Sequence, residues 1–583
     1  MAVNLNSEPE LERSAYICVG RMIQLDPRII TDVDDGFDDK AATSCYRWAR
    51  MRRVIHDIQT NEPGKYSARL HPWVEELHNS EAPYHWILKG AQLGLTEWAI
   101  NIALYMIDKL RKDVLYVLPT GTTASDFSKA RFSGALALSP YLKALFSDVD
   151  SVNLKQAGSR TLYIRGAGGK GNLFSIPVSC LILDELDRMD PKQIWLALER
   201  LSGQIQKMVR GLSTPTIPNF GIHKLFLTGT QEEFAFKCPR CSRRTVFEWP
   251  DCVEIVGEHT TDKRCAESYL KCRECKGKID HREKPEFLKT GTFVPFNENA
   301  NPEVRSSHVS QLYSYTVTPG ELVVAHFRGF GDEMAEIEFH NSKLGLPFIG
   351  DGARVDETMI ARALGVHSKD DDRPSHAGRI ITMGVDRGKL NYAVVCEFFF
   401  DRWSLDVNVA AKCKVLYELV FPESDFDRTV DDLMRSWQVL CCVTDADPGP
   451  NEARRFARRF NAAGDFIYLC RYRRGQQAKE LSLSEQETGA PMVTCDRSNW
   501  LAATLGRFKS DPSRITLPRD VSQKFQDHMG ALTATFQRDD TGNPVLQFVE
   551  TSADHFIHAL CYAEIALPLV GFSQCNLDIT KIQ

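Results

Sequence analysis

Two groups of acidic residues and one group of cysteines have the types and spacing that phosphate and metal chemistry needs. Asp184 and Glu185 end the apolar run CLIL, and farther along the chain Asp386, Asp445 and Asp554 each border an apolar segment. Carboxylates gathered in this way hold Mg²⁺ or Mn²⁺ and polarise water for attack on phosphorus. The sequence therefore predicts two separate centres of phosphate chemistry.

A glycine-bearing loop precedes the first acidic pair. The segment KGAQLGLTE (89–97) follows the strand-like HWIL and leads into an apolar helical pattern. A P-loop has the pattern G-x-x-x-x-G-K-[ST], in which backbone N–H groups, the lysine and the hydroxyl contact the phosphates and Mg²⁺. Gly94 and Thr96 hold their places, whereas Leu95 stands at the lysine position and Lys89 at the first glycine. A plain strand-turn-helix is the alternative interpretation.

The roles follow from the chemistry of ATP hydrolysis. Asp184 is expected to hold Mg²⁺, Glu185 to activate water, and Lys89 to supply positive charge from the other end of the loop. Hydroxyls at the end of the next strand-like run, Ser213 and Thr214 in STPT, are candidates for coupling hydrolysis to movement. The predicted ATP-binding residues are Lys89, Gly90, Ala91, Gln92, Gly94, Leu95, Thr96 and Asp184. Together these elements predict an ASCE-type P-loop ATPase.

The cysteines form two C-x-x-C pairs separated by 30 residues: Cys238 with Cys241, and Cys272 with Cys275. Four thiolates in two such knuckles suit the tetrahedral coordination of a structural Zn²⁺. Cys252 and Cys265 lie between the pairs and remain alternative ligands.

The last third of the chain has the pattern of a nuclease. Asp386 ends a strand that leads into a second apolar strand, as in RNase H-like folds, and Asp445 ends a later one. Asp554 and His558 lie one helical turn apart. Three carboxylates brought together would hold two Mg²⁺ or Mn²⁺ ions for phosphodiester hydrolysis. Asp447 competes with Asp445, and His558 is interpreted as an orienting or packing residue.

The composition of the chain excludes several classes of protein, and its sequence pattern predicts the domains that carry these sites. The 583 residues, with 43% hydrophobic and 25% charged side chains and a net charge of −6, exclude a disordered chain and a uniformly basic coat for nucleic acid. No apolar run is long enough for a membrane span, and the start resembles no signal peptide, so we expect a soluble, intracellular protein. The predicted parts are an N-terminal helical arm (1–60), the ATPase domain with a parallel sheet (61–235), the zinc insert (236–300), a connecting region and linker (301–375) and the RNase H-like domain (376–583).

Short apolar runs predict the strands of the first sheet. They are Trp86–Leu88, Val114–Leu118, Thr161–Ile164, Val178–Leu183, Lys207–Leu212 and Lys224–Thr228. Basic clusters could contact a DNA backbone or form a solvated face: Arg454, Arg455, Arg458 and Arg459, and Arg471, Arg473 and Arg474.

The motifs KGAQLGLTE, LILDELDR, STPT, KCPRC, FHNSKLGLPF, ITMGVDRG, VTDADPGPNEARRF and DHFIHALCYA, in this order, resemble the large terminase subunits of tailed bacteriophages, of the lambda-like type. The resemblance covers roughly residues 40–570. It implies ATP-driven packaging of double-stranded viral DNA into a procapsid and cutting of concatemers.

The resemblance also implies partners and places. These are a small terminase subunit, the portal protein and a homo-oligomeric ring, commonly a pentamer, acting in the host cytoplasm and transiently at the portal but absent from the mature virion. It further implies an adenine-contacting segment at Tyr66–Trp73 and a trans-acting arginine, for which Arg131, Arg188, Arg200 and Arg210 are candidates. Two other functions stay open: a DNA-stimulated, helicase-like ATPase without nuclease activity, and a non-enzymatic, zinc-stabilised assembly protein with a decayed ATP site.

Overall fold

The computed structural model describes residues 16–18, 22–24, 44–57, 60–147, 149–168, 173, 176–350, 352–371, 379–401, 407–447, 450–462, 467–473, 481–485, 491–538 and 544–575. The chain divides into two compact units, Met1–Phe348 and Ile349–Gln583. Most of the predicted arm (1–60) lies outside the described residues, as do residues 372–375 at the end of the predicted linker. The predicted connecting region 301–375 is divided between the two units.

The first unit contains strands β1–β18 and helices α1–α11. The strands are β1 (Tyr16–Cys18), β2 (Met22–Gln24), β3 (Val54–His56), β4 (Pro63–Lys65), β5 (Tyr84–Lys89), β6 (Val114–Leu118), β7 (Val149–Asp150), β8 (Leu154–Ala157), β9 (Arg160–Gly166), β10 (Cys180–Asp184), β11 (Met208–Ser213), β12 (Glu232–Lys237), β13 (Arg244–Thr245), β14 (Val253–Glu254), β15 (Tyr269–Lys271), β16 (Lys278–Ile279), β17 (Thr292–Pro295) and β18 (Val304–Val309).

The helices of this unit are α1 (Cys45–Arg52), α2 (Trp73–His78), α3 (Leu95–Asp108), α4 (Gly121–Phe127), α5 (Ser133–Leu138), α6 (Pro140–Leu145), α7 (Pro191–Leu198), α8 (Gly221–Phe226), α9 (Lys284–Phe287), α10 (Pro319–Arg328) and α11 (Glu333–Glu338). A π-helical turn, Phe339–Leu344, follows α11.

An 11-stranded sheet organises the first unit, in the order β13-β12-β18-β5-β11-β10-β6-β9-β8-β7, with β17 on β12. Its centre, from β12 to β9, is parallel. The central strands β6 and β10 are buried, largely apolar runs, as expected for a sheet covered on both faces. The parallel-sheet ATPase fold is therefore confirmed.

One predicted strand is wrong. Residues 224–228 are not extended, because α8 occupies Gly221–Phe226. The place beside β5 is taken instead by β18, whose Val309 pairs with Lys89. The cysteine-bearing insert adds a small sheet, β14-β15-β16, to this unit.

The second unit is built on an eight-stranded sheet, in the order β24-β25-β23-β22-β19-β20-β21-β26. Its strands are β19 (Ile380–Asp386), β20 (Leu390–Phe400), β21 (Ala411–Pro422), β22 (Cys441–Asp445), β23 (Ile467–Arg473), β24 (Ser482–Glu485), β25 (Pro491–Asp496) and β26 (Ile515–Thr516), and a separate hairpin joins β27 (Leu532–Arg538) and β28 (Pro544–Glu550). Its helices are α12 (Glu357–Ala363), α13 (Val407–Ala410), α14 (Phe426–Ser436), α15 (Pro450–Ala462), α16 (Arg497–Lys509), α17 (Gln523–Met529) and α18 (His555–Cys575).

Three antiparallel strands followed by parallel β22 and β23 give this sheet the RNase H-like topology, which confirms the predicted fold. Helix α18 packs directly on β19, where a Cβ on Gly384 would lie 1.9 Å from the carbonyl oxygen of Ala559. Glycine is thus required for this close approach. Among the described helices, α18 included, none is long and apolar enough to cross a membrane.

Candidate ATP, metal and nuclease sites

The predicted phosphate loop connects β5 to α3. Lys89 ends the strand, Leu95 begins the helix, and Gln92 and Gly94 take left-handed backbone angles, with φ of 59° and 76°. The first turn of α3 therefore points its N–H groups toward the loop, where an anion is favoured. Leu95 is buried in the core, so its side chain belongs to the packing of α3.

The Walker B acid Asp184 is built to receive a cation. It is buried at the end of β10, and its Oδ2 accepts a 2.7 Å hydrogen bond from the Tyr116 hydroxyl. Within the described residues its Oδ1 has no hydrogen-bond partner. Burial raises the pKa of Asp184, whereas the charge of Lys89 and the Tyr116 bond oppose that rise. An orphaned carboxylate oxygen near a lysine fits a Mg²⁺ ion bound with phosphate.

Glu185 follows Asp184 in a left-handed conformation, with a φ of 58°. The side chain is half exposed and accepts a 2.9 Å bond from Arg188. A left-handed backbone at a non-glycine residue is strained, and such positions cluster at functional sites.

Asp187, a residue that the sequence analysis missed, connects two segments. It lies in the turn after Asp184 and Glu185, and it bonds to the STPT segment (213–216). Ser213, at the end of β11, accepts a 3.1 Å bond from the Asp187 N–H, and Thr214 follows it. The Asp187 carboxylate accepts 2.8 and 2.9 Å bonds from the N–H and hydroxyl of Thr216. Burial raises the pKa of Asp187 to about 6. The signal for Asp187 was its position inside LDELDR.

A cavity of about 800 Å³ lies beside the phosphate loop. It is lined by Gln92, Gly94 and Glu97 and by residues 64–71, which overlap the segment expected to contact adenine. Arg53 and Arg131 also line it, and both bond to Glu97. The cavity volume is typical of sites for small ligands.

The four candidate trans-acting arginines differ in accessibility. Arg210 is buried and donates to the carbonyl groups of Ser80 and Ala82, so it is not available to another subunit. Arg200 donates to the Leu196 carbonyl, Arg188 bonds to Glu185, and Arg131 lines the cavity described above.

The four predicted zinc ligands come together. The Sγ atoms of Cys238, Cys241, Cys272 and Cys275 all lie within 4.8 Å of one another. Backbone N–H groups of Arg240 and Glu274 donate 3.3 Å bonds to two of these sulfurs. Tetrahedral Zn²⁺ with Zn–S bonds of about 2.3 Å requires sulfurs about 3.8 Å apart, which this cluster can supply. Cys252 and Cys265 instead donate to backbone carbonyls and stand outside the cluster.

In the second unit, the sheet brings two of the predicted acids side by side. Asp386 ends β19 and Asp445 ends β22, and these strands pair in parallel, Val385 opposite Thr444. Burial is the main reason that the pKa of Asp445 is raised to about 6, and the neighbouring charge of Asp386 adds to it. Asp447 is exposed, lies 3.7 Å from Arg471, and donates its N–H to Asp445. The geometry therefore favours Asp445 as the inner ligand.

The third acid, Asp554, precedes α18 and is buried. His558 contacts its carboxylate at 3.1 Å, and Arg497 lies 3.7 Å from it. Burial raises the pKa of Asp554, but the His558 bond and nearby positive charges bring it below its ordinary value. His558 is thus placed to orient the acid, and its role stays a prediction.

His555 is the second residue that sequence reasoning missed. Its Nδ1 lies 2.8 Å from Oδ2 of Asp386, and this bond is the main cause of the raised pKa of His555. Its ring stacks on Tyr392 with centroids 4.6 Å apart. The residue stands inside DHFIH, next to Asp554, but only the fold brings it to Asp386.

The structure describes the exposure or the partners of several arginines in the two predicted basic clusters. On α15, Arg455 and Arg458 are exposed, and Arg459 pairs with Asp427 at 3.7 Å. Arg473 is exposed on β23, and Arg474 lies outside the described residues. A role in DNA contact stays a prediction.

The sheet order, phosphate loop and Walker B pair define the first unit as a P-loop ATPase. Residues 60–293 match the family described as phage terminase large subunit gpA, ATPase domain. These residues, about two fifths of the chain, are therefore similar to the ATPase domain of phage large terminase subunits; the lambda-like type stays a prediction.

Two solved structures illustrate the wider likeness. The HK97 bacteriophage large terminase is 10% identical, with 90% of this chain and 99% of that chain covered and a TM-score of 0.45. The large terminase nuclease from the thermophilic phage G20c is 14% identical over 36% of this chain and 97% of its own, with a TM-score of 0.23. No curated protein matches the sequence.

Proposed function

We propose that this chain is an ATP-driven motor that moves double-stranded viral DNA into a procapsid and cuts concatemeric DNA by two-metal hydrolysis. The observation that carries the proposal is the presence, in one chain, of a P-loop ATPase unit and an RNase H-like unit with acids at adjacent strand ends. ATP hydrolysis in the first unit would power DNA translocation, and the second unit would cut the same DNA.

In the first unit, Asp184 would hold Mg²⁺ through its unpartnered oxygen, and Lys89 would lie close enough to share the phosphate charge. Bound Mg²⁺ neutralises charge that develops on the phosphates during transfer. Glu185 would orient and deprotonate the attacking water. The cavity lined by residues 64–71 would receive the base and ribose of ATP.

In the second unit, Asp386, Asp445 and Asp554 would hold two Mg²⁺ or Mn²⁺ ions. Such ions activate water and stabilise the leaving oxygen of a phosphodiester. His558 and Arg497 orient Asp554, and His555 does the same for Asp386.

The cysteine cluster would hold one structural Zn²⁺ per chain, because four thiolates close the coordination sphere. A measured zinc content far below one ion per chain would contradict this assignment. We further propose that the small terminase subunit and the portal protein are partners, and that a ring, commonly a pentamer, acts in the host cytoplasm and transiently at the portal.

One observation favours a second candidate function, a DNA-stimulated ATPase whose RNase H-like unit only binds DNA. In the described part of the chain, the cysteine quartet is the one group of three or more potential ligands within 4.8 Å of one another. Two of the nuclease acids are instead engaged by basic side chains: Asp386 by His555, and Asp554 by His558 and Arg497.

Nicking of supercoiled plasmid in Mn²⁺ separates the two functions. The wild-type protein is expected to nick the plasmid, and Asp386→Ala is expected to lower the rate by at least about 100-fold, because a metal ligand matters at least as much as its outer-shell partners. ATP turnover measured on the same preparation should be unchanged. Failure of the wild type to nick, or equal nicking by the variant, would support the DNA-binding alternative.

A further inference from the structure

Residues 339–348 close over the phosphate loop at the end of the first unit. The Ser342 carbonyl accepts a 2.7 Å bond from the Ala91 N–H. A Cβ on Gly90 would meet the carbonyl oxygens of Lys343 and Ser342 at 3.0 and 3.1 Å. A Cβ on Gly345 would lie 2.6 Å from the Gly90 nitrogen. The backbone of residues 339–348 therefore lies so close to the phosphate loop that a side chain at Gly90 or Gly345 would crowd the other segment.

An ion pair between buried His308 and partly exposed Glu233 helps to hold this segment in place. His308 lies at the end of β18, its Nε2 2.8 Å from the Leu344 carbonyl oxygen and its Nδ1 2.8 Å from Glu233. Both partners only accept hydrogen bonds, so both ring nitrogens carry protons and the ring is an imidazolium. Removing His308 would leave Glu233 and the Leu344 carbonyl without this donor.

Gln311 holds the same loop from a second side. It is buried, and its Nε2 donates a 2.9 Å bond to the Ala91 carbonyl. Ala91 is thus fixed through its N–H by Ser342 and through its C=O by Gln311. The first part of the phosphate loop is consequently held by hydrogen bonds. The residues expected to contact phosphate, from Gln92 onward, follow it.

The other end of the segment reaches the coupling motif. The Phe348 N–H donates a 3.1 Å bond to the Thr216 carbonyl, and Thr216 in turn donates to Asp187. His340 stacks on Phe348 with centroids 4.1 Å apart. One ten-residue segment thus joins the phosphate loop to the residues that follow the Walker B pair, and it ends where the first unit ends.

We propose that residues 339–348 are a positioning element for ATP hydrolysis, which fixes Gly90 and Ala91 and links their position to Thr216 and to the end of the first unit. The inference rests on ATP hydrolysis at this loop. Because linkage is reciprocal, nucleotide binding must stabilise the segment as much as the segment favours nucleotide binding. Gly345, His308 and Gln311 are its positioning residues.

A matched pair of glycine substitutions tests the proposal. Gly345 and Gly331 both have positive φ, 66° and 84°, so an alanine costs backbone strain at either site. Only at Gly345 does the added Cβ meet the phosphate loop; at Gly331 nothing lies within 4 Å. Gly345→Ala is expected to raise the KM for ATP and the Kd of a fluorescent ATP analogue about tenfold, or about 1.4 kcal/mol. Gly331→Ala should stay within about twofold of the wild type.

Equal effects of the two substitutions, or a lower melting temperature at Gly345→Ala with unchanged affinity, would overturn the proposal. If Gly345→Ala fails to fold, Gln311→Met serves instead, because it keeps roughly the size of the side chain, adds no charge to this buried site and removes the donor to Ala91. It should raise the KM with little change in melting temperature, and an unchanged KM would overturn the proposal.

Hydrogen exchange reads out the coupling itself. Adding a non-hydrolysable ATP analogue to the wild type should slow exchange at residues 342–348, and Gly345→Ala should remove most of that protection. Protection that is equal in both proteins contradicts the link. A wild type without ATP turnover would instead refute the proposed ATPase function.

Discussion

The two acidic centres share a plan but differ in what faces the carboxylates. In both, an acid ends a buried parallel strand beside another strand end. Asp184 has a neutral partner, the Tyr116 hydroxyl, and a second oxygen without a partner. In the second unit, Asp386 is bonded to His555, and Asp554 faces His558 and Arg497.

This difference indicates two modes of metal binding. Asp184 is ready to receive a cation that arrives with phosphate, because its charge is only partly compensated by Lys89. Asp386 and Asp554 already have basic partners, so cations must compete with these side chains at two of the three acids. Cutting should therefore depend more steeply on metal concentration than ATP turnover does.

The largest expected effect separates the neighbouring acids of the nuclease centre. Asp445→Asn should lower cutting by at least about 100-fold, because the inner ligand loses its charge. Asp447→Asn should stay within a fewfold, since its carboxylate is exposed and faces Arg471. Initial rates of plasmid nicking at saturating Mn²⁺ measure both; the reverse order would move the ligand to Asp447.

A smaller effect is expected at the ATP centre. Tyr116→Phe removes a hydrogen bond to Asp184 and should raise the KM for Mg·ATP about tenfold, the usual worth of a bond to a charged group. Because that bond lowers the pKa of Asp184, its loss raises the pKa, and the carboxylate is protonated at higher pH than before. The defect should therefore be larger at pH 6 than at pH 8.

Tyr141→Phe is the control for this change, since its hydroxyl also bonds to a carboxylate, Asp108, in the same unit. ATP turnover should be unaffected there. Equal changes at Tyr116 and Tyr141, or a defect that grows with pH, would show that Asp184 is not tuned by Tyr116.

Local sequence motifs made much of the fold and of the candidate sites predictable. The phosphate loop, the Walker B pair and the two cysteine knuckles are each contiguous in sequence, and their chemistry follows from spacing. Alternating strands and helices predicted both sheets, and Asp386 at the end of the first RNase H-like strand fixed the second centre. The arrangement of β19 to β23 confirmed the RNase H-like fold, whereas the role of Asp386 stays a prediction.

Long-range placements could not be predicted. The strand beside β5 comes from Val304–Val309, more than two hundred residues downstream of β5, although its sequence VRSSHV is mostly polar. The nearer and more apolar run 224–228 instead overlaps helix α8. His555 reaches Asp386 only because α18 packs on β19 at Gly384. The contact of Ser342 with Ala91 involves a backbone carbonyl, which no side-chain pattern records.

The central claim is that one chain holds two independent hydrolytic sites, and Glu185→Gln tests it most directly. The substitution keeps the size of the side chain but removes the base, so ATP turnover should fall by about 10²–10⁴-fold. Mn²⁺-dependent nicking by the same preparation should persist near the wild-type rate. Loss of both activities in a folded protein, or undiminished ATP turnover, would contradict the account.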